Sequence, residues 1–207
     1  MSVKEREKVL RPSFETIVEY EVRKDGKVIS KGSFKGKSWV KNLARLFKVL
    51  SGVEPVTIYD KDGYSRDLYR VGFGNATIKA TEGQDLFGVI VGSGGTPPTK
   101  EDNADVYWLA SQIRHGDGDN YLHYFDTVLV DIAVTDTTVT LKWSRDFKNN
   151  GSVDVNIGEV GLAMQIGTGS DGATIVPVLI FHEALSSTVT VPPGATITWR
   201  VVLRYTK

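Results

Sequence analysis

Two stretches, "VTLKWSRDF" (139–147) and "ITWRVVLRY" (197–205), alternate apolar and polar side chains. In the first, Val139, Leu141, Trp143 and Phe147 oppose Thr140, Lys142, Ser144 and Asp146. In the second, Ile197, Trp199, Val201, Leu203 and Tyr205 oppose Thr198, Arg200 and Arg204. A period of two is the mark of a strand with one buried face. Near the other end, Phe14, Thr16, Val18, Tyr20 and Val22 share one face, and Glu15, Glu19 and Glu21 share the other with Ile17. Asp25-Gly26 follows, a two-residue hairpin signal because both central positions need positive φ, with a return strand over 27–34.

Further strands are predicted at 56–59, 69–73, 87–91, 121–125, 128–134, 138–147, 153–157, 160–166, 175–181, 187–191 and 196–205. Turn signals such as "KNNGS", "GTGSDGA" and "PPGA" divide them. Many short strands at this spacing predict a mainly β fold: a single-domain antiparallel β-sandwich, jelly-roll-like, over residues 13–207. Residues 1–12, charged and ending at Pro12, read as an N-terminal arm.

One amphipathic helix is predicted near 38–50, in "SWVKNLARLFKVLSG". Trp39, Leu43, Leu46, Phe47 and Leu50 form its apolar stripe, with Ser38 as N-cap and Gly52 just past its end. Lys41, Arg45 and Lys48 lie away from that stripe, as on a helix packed against a sheet. A second, short helix is expected within 99–113, with Thr99 as N-cap and Glu101 and Asp102 in its first turn.

Charge and composition narrow the partners. Lys and Arg number 25 and Asp and Glu 25, so no net field favours nucleic acid or an anionic membrane. The same balance removes repulsion between copies. There is no cysteine, which excludes disulfides and thiolate metal sites. No apolar run approaches the roughly 18 residues of a membrane span. "MSVKEREKVLRPSF" lacks the apolar core of a signal peptide, so the expected site of synthesis is the cytoplasm.

The search for chemistry assigns no site. "GVIVGSGGTPPT" (88–99) has the glycines of a phosphate loop but no Lys-Ser/Thr pair, and Pro97 and Pro98 lack N–H donors. Its glycines are expected to serve backbone shape. Ser93 and Ser170 do not sit in a G-x-S-x-G elbow, and His182-Glu183 lacks the second histidine of a zinc helix. His115, His123 and His182 are therefore expected to be exposed or hydrogen-bonded. In "HGDGDN" (115–120), Asp117, Asp119 and Asn120 could offer oxygens to a hard cation, but later ligands and a closing glutamate are missing, which favours a polar turn. "YDKDGY" and "GTGSDG" are read the same way. Trp143 and Trp199 lie on apolar strand faces and belong to the core, while Tyr107-Trp108 could anchor an interface. The expectation is a protein that is not an enzyme, with no catalytic, cofactor-binding or metal-binding residue and no cofactor.

Several stretches in order resemble one group of proteins. They are residues 91–96, 113–116, 122–124, 145–151, 158–162 and 189–204, preceded by "DGKVISKGSFKGKSWVKNLARLF". Together they resemble virion structural proteins of tailed phages, prophages and related viruses. That group carries an apolar strand into a "VGTGTT" loop, then "HG-x-G-x-x-L-x-Y", "NEVGL" and "VTVPPGQT" segments. The chain departs from it at "KEDNADVYWLASQI", where the group has a short "DYAL". The resemblance implies a capsid, neck, tail or appendage subunit located in the virion. Its partners would be its own copies and other virion proteins; edge strands and the residue 1–12 arm are the expected contacts, since an unpaired edge or a free arm can add to a neighbour's sheet. It carries over no catalytic residue, and from charge and hydropathy no nucleic-acid or membrane partner is expected. The alternative is a carbohydrate- or receptor-binding sandwich using Trp108 and the "HGDGDN" turn. A hydrolase would instead need clustered carboxylates or a Ser/His pair in a cleft.

Overall fold

The computed structural model describes residues 13–36, 39–100 and 105–206. The proposed arm, Ser38, Glu101 and Asp102 lie outside the described residues. The chain is mainly β, as its alternation predicts. Strands β1 (Ser13–Lys24) and β2 (Lys27–Gly36) precede helix α1 (Lys41–Leu50). Then come β3 (Val56–Tyr59), β4 (Ser65–Leu68), β5 (Gly88–Gly92), β6 (Thr99–Lys100) and β7 (Asp105–Val106). The long strands follow: β8 (His123–Val134), β9 (Thr138–Lys148), β10 (Val155–Thr168), β11 (Thr174–Val191) and β12 (Thr196–Thr206).

Five strands form one sheet in the order β2-β1-β12-β9-β8, and three form a second in the order β11-β10-β5. Every pairing within both sheets is antiparallel. Asp25 (φ 51°) and Gly26 (φ 74°) make the expected β1–β2 turn. Val18, Val22, Phe147, Ile197, Trp199 and Val201 of the larger sheet join Val89, Leu162, Ile166, Val178 and Phe181 of the smaller in one buried cluster. Fully burying each such side chain contributes roughly 1.5–3 kcal/mol.

The helix starts later than its sequence pattern suggests. Trp39 bridges to Phe181, and the Val40 N–H donates to the Ile180 carbonyl at 3.3 Å, so these residues extend along β11. Tertiary pairing thus overrides the local helical pattern, and α1 begins at Lys41 after an extended Val40 without a side-chain cap. Gly52, at φ 91°, lies just past the end as expected. The expected strand at 69–73 is a 3₁₀ turn, Arg70–Asn75, where Gly72 presses against the Gly167 carbonyl. The expected helix within 99–113 is not formed among the described residues. Thr99 pairs with Val106 across β6 and β7, and Ser111–Ile113 run beside β5.

Three long strands each join two predicted ones through a bulge. β8 bulges between Tyr124 and Thr127, and β10 shifts register between Ile157 and Glu159. Opposite that shift, the partner of Ile157 is Val189 but that of Glu159 is Ala184, so residues 185–188 of β11 stand out of the ladder.

Candidate interaction surface

Four strands border the two main sheets, and three of these borders are covered or blunted. The β11 edge receives Val40 N–H on Ile180 and Lys61 N–H on Pro177. The β5 edge is covered by Ser111–Ile113, through Ser93 N–H to the Ser111 carbonyl (2.8 Å) and Ile113 N–H to the Val91 carbonyl (3.0 Å). The β2 edge is open but carries exposed Lys27, Lys31 and Lys35, charges that oppose strand addition.

The β8 edge is covered at its start, by Thr127 N–H on the Ala80 carbonyl (2.8 Å) and Gly83 N–H on the Tyr124 carbonyl (3.0 Å); from 128 to 134 no described segment pairs with it, and the strand bulges a second time between Leu129 and Asp131. Between residues 125 and 141 there is no lysine, arginine or histidine. Val128, Leu129, Val130, Ile132 and Val134 are all exposed, Ile132 by 60% and Val134 by 69%. The alternation of β9 explains one side of this: Leu129, Ile132 and Val134 pair with Trp143, Leu141 and Val139 and so continue the apolar face past the smaller sheet. Along that face lies an apolar groove of about 530 Å³ between α1 and the sheet, lined by Trp39, Leu43, Phe47, Trp143, Met164 and Leu203. An exposed apolar edge of this kind is a candidate contact surface.

A second cleft, also about 530 Å³, opens between β2 and the bulged part of β11. Tyr20, Ser33, Phe34, Glu183 and Ser187 line it. Behind them, Trp199 packs against Tyr20 (5.2 Å) and Phe34 (6.5 Å), and its buried Nε1–H has no hydrogen-bond partner among the described residues.

No protein-family model, curated sequence or solved structure matches this chain.

The residues singled out by sequence fall elsewhere. In "HGDGDN", Asp117 accepts from Asn150 at 2.7 Å and lies 2.9 Å from His123 Nδ1. Asp119 accepts the Ser152 N–H at 2.7 Å and its hydroxyl at 3.0 Å, and Asn120 takes φ 65°. The motif is a turn clasped to residues 150–152. His115 Nδ1 accepts the Tyr124 N–H at 3.1 Å. Among the described residues, no three His, Cys, Asp or Glu side chains cluster as a metal site would. The glycine loop after β5 takes φ 95° and 127° at Gly94 and Gly95 and packs on Gly158, where a Cβ would meet the Ser93 carbonyl. Ser93 Oγ lies 3.5 Å from the Ser111 carbonyl, and Ser170 sits in the β10–β11 turn.

Trp108 overturns an expectation. It is only 7% exposed, and its Nε1–H donates to Gln112 at 3.1 Å, so it anchors no outer surface. The cause lies beneath it. Buried Glu159 accepts the N–H groups of Ala110 (3.0 Å) and Ser111 (2.9 Å) and contacts His182 Nε2 at 2.9 Å, drawing the 108–113 segment onto the sheet. His182 is thus hydrogen-bonded and buried.

His123 is the pH-sensitive member of this surface. Its Nε2 lies 2.8 Å from Glu82 and its Nδ1 2.9 Å from Asp117, so both ring nitrogens act as donors when the ring is charged. Partial burial pulls its pKa down, but the two carboxylates outweigh that and hold it above the ordinary value. The folded-state pKa is raised, so the stabilisation is full below the unfolded value and is lost as pH rises through the folded one. Thermal melting is expected to lose stability between about pH 6 and about pH 8, and His123→Gln should flatten that slope. An unchanged slope in the variant would assign the effect to another group.

Sequence reasoning missed Arg145. It falls in the inward phase of "VTLKWSRDF", between Trp143 and Phe147, and that position was the available signal.

Proposed function

We propose that the chain is a non-enzymatic structural subunit of a virus particle or virus-like assembly, repeated in many copies. The observation that carries this reading is the apolar, uncharged-by-lysine edge of β8, beside a β2 edge blunted by three lysines. A chain that guards one edge and leaves the other open is suited to adding a neighbour there. The ordered motifs from residue 91 to 204 support the virion setting, through their resemblance to phage structural proteins. Three buried charged or ionisable groups, Arg145, Glu159 and His182, are engaged in holding loops to the sheets, which suits a scaffold.

The test is quantitative mass spectrometry of particles purified from cells that produce the chain. Many copies per particle are expected. Its absence from particles, with the free protein abundant in the same cells, would sink the reading.

A glycan- or receptor-binding module is the second reading, favoured by the cleft in which Tyr20 and Phe34 stand beside Ser33 and Ser187. Aromatic rings beside hydroxyls suit a sugar face. It predicts glycan-array signals that Tyr20→Ala removes; an array blank for the wild-type chain would count against it.

A further inference from the structure

The open edge of β8 has a charge as well as an apolar surface. Residues 125–141 hold Asp126, Asp131 and Asp136 and no basic side chain, Asp131 and Asp136 are exposed, and Lys142, which stands opposite Asp131, is paired with Glu19 at 3.1 Å. Two such edges brought together would set like charges against each other. The edge therefore calls for a basic strand with some apolar side chains. Residues 1–12 have that chemistry: Lys4, Arg6, Lys8 and Arg11 against Glu5 and Glu7, with Val3, Val9 and Leu10.

Their point of attachment adds a geometric argument. Ser13 pairs with Thr206, and Thr206 pairs with Thr138, so residue 12 joins the sheet at the same end as the β8–β9 turn. On its own body, this segment would have to pass the ends of β12 and β9 and round that turn before reaching the free edge. With strands about 4.8 Å apart, that route is roughly 19 Å. It would consume about half of a twelve-residue reach of roughly 40 Å, including Lys8 and Arg11. A neighbouring copy can place the whole segment along the edge.

We propose that residues 1–12 of a second copy add as a strand to the free edge of β8 at residues 128–134, with their basic side chains facing Asp131 and Asp136. The inference rests on the structural-subunit reading and names the contact between its copies. Main-chain hydrogen bonds would supply affinity and the charges would set the register.

The experiment uses two full-length variants. One carries Lys4→Glu, Arg6→Glu, Lys8→Glu and Arg11→Glu; the other carries Asp131→Lys and Asp136→Lys. Sedimentation velocity is run on each alone and on their equimolar mixture. Each alone is expected to associate at least about tenfold more weakly than wild type, because arm and edge then share a sign. The mixture should recover association, since each variant's arm now complements the other's edge. Recovery also shows that both variants are folded. Wild-type association should weaken as salt rises.

Self-association of either variant at wild-type strength would overturn the proposal, as would a mixture that stays monomeric or a wild-type chain that does not associate. An arm seated on its own body would give the monomeric mixture. Because these measurements use purified protein alone, their failure leaves the particle census to decide the structural-subunit reading.

Discussion

Replacing Arg145 with methionine is expected to cost about 4 kcal/mol or more, at the upper end of single-site effects. Its side chain is 1% exposed on average over the residue, yet no carboxylate pairs with it among the described residues. Instead the guanidinium donates to five backbone carbonyls. Nε reaches Phe125 at 2.7 Å, one terminal nitrogen reaches Phe87 (3.0 Å) and Val89 (3.1 Å), and the other reaches Thr81 and Gln84. The plane also stacks near Tyr124, 4.7 Å from the ring centroid. Burial pushes its pKa down to about 10, which leaves it charged at neutral pH. One side chain thus ties the 81–89 segment to the bulge of β8. Removing it strands carbonyls that are worth about 1–3 kcal/mol each when buried without a donor. Arg145→Lys should recover only part of this, because an ammonium has three donors and no planar fork. Urea unfolding measures both; a methionine variant within about 1 kcal/mol of wild type would show that the carbonyls find other donors.

Glu159→Ala is expected to follow, at about 3 kcal/mol, because it removes the acceptor for two amides and His182 together. Glu159→Gln should cost less, since one oxygen can still accept, but its NH₂ meets a donor. The site also predicts acid sensitivity. Burial pushes the carboxyl upward, yet the His182 contact and the Ser111 and Ala110 amides outweigh it and hold the pKa below the ordinary range. A lowered pKa in the folded state means stability that is full above the unfolded value, near 4.3, and lost as pH falls through the folded one. Wild type should therefore lose urea resistance below about pH 4, and Glu159→Gln should lose less over that interval. Equal losses in both would place the acid-sensitive group elsewhere. Tryptophan fluorescence adds a local readout, because Trp108 sits on the segment that Glu159 holds.

The strands with strict alternation were legible because their signal is local. The faces of 14–22, 139–147 and 197–205, and the Asp25-Gly26 turn, fold as their residue types require. Residues 39–40 read as helix because their stripe is continuous with α1, whereas a distant strand, β11, holds them extended. Trp108 read as an anchor because its partner, Gln112, and the Glu159 that draws its segment inward depend on tertiary contact. The edges were the least legible feature. Which strands border a sheet depends on neighbour order, and nothing within 128–134 says that β9 is its one strand neighbour among the described residues. Arg145 was hidden differently: a charged residue in the inward phase looks like a break in the pattern, when it is the donor that the surrounding carbonyls need.

The central claim is that this chain is built to meet copies of itself. Sedimentation velocity of the purified full-length protein, over about a hundredfold range of concentration at low and high salt, tests it most directly. The account predicts that the weight-average mass rises with concentration and falls back as salt is added. A single monomer boundary at every concentration and salt would contradict it.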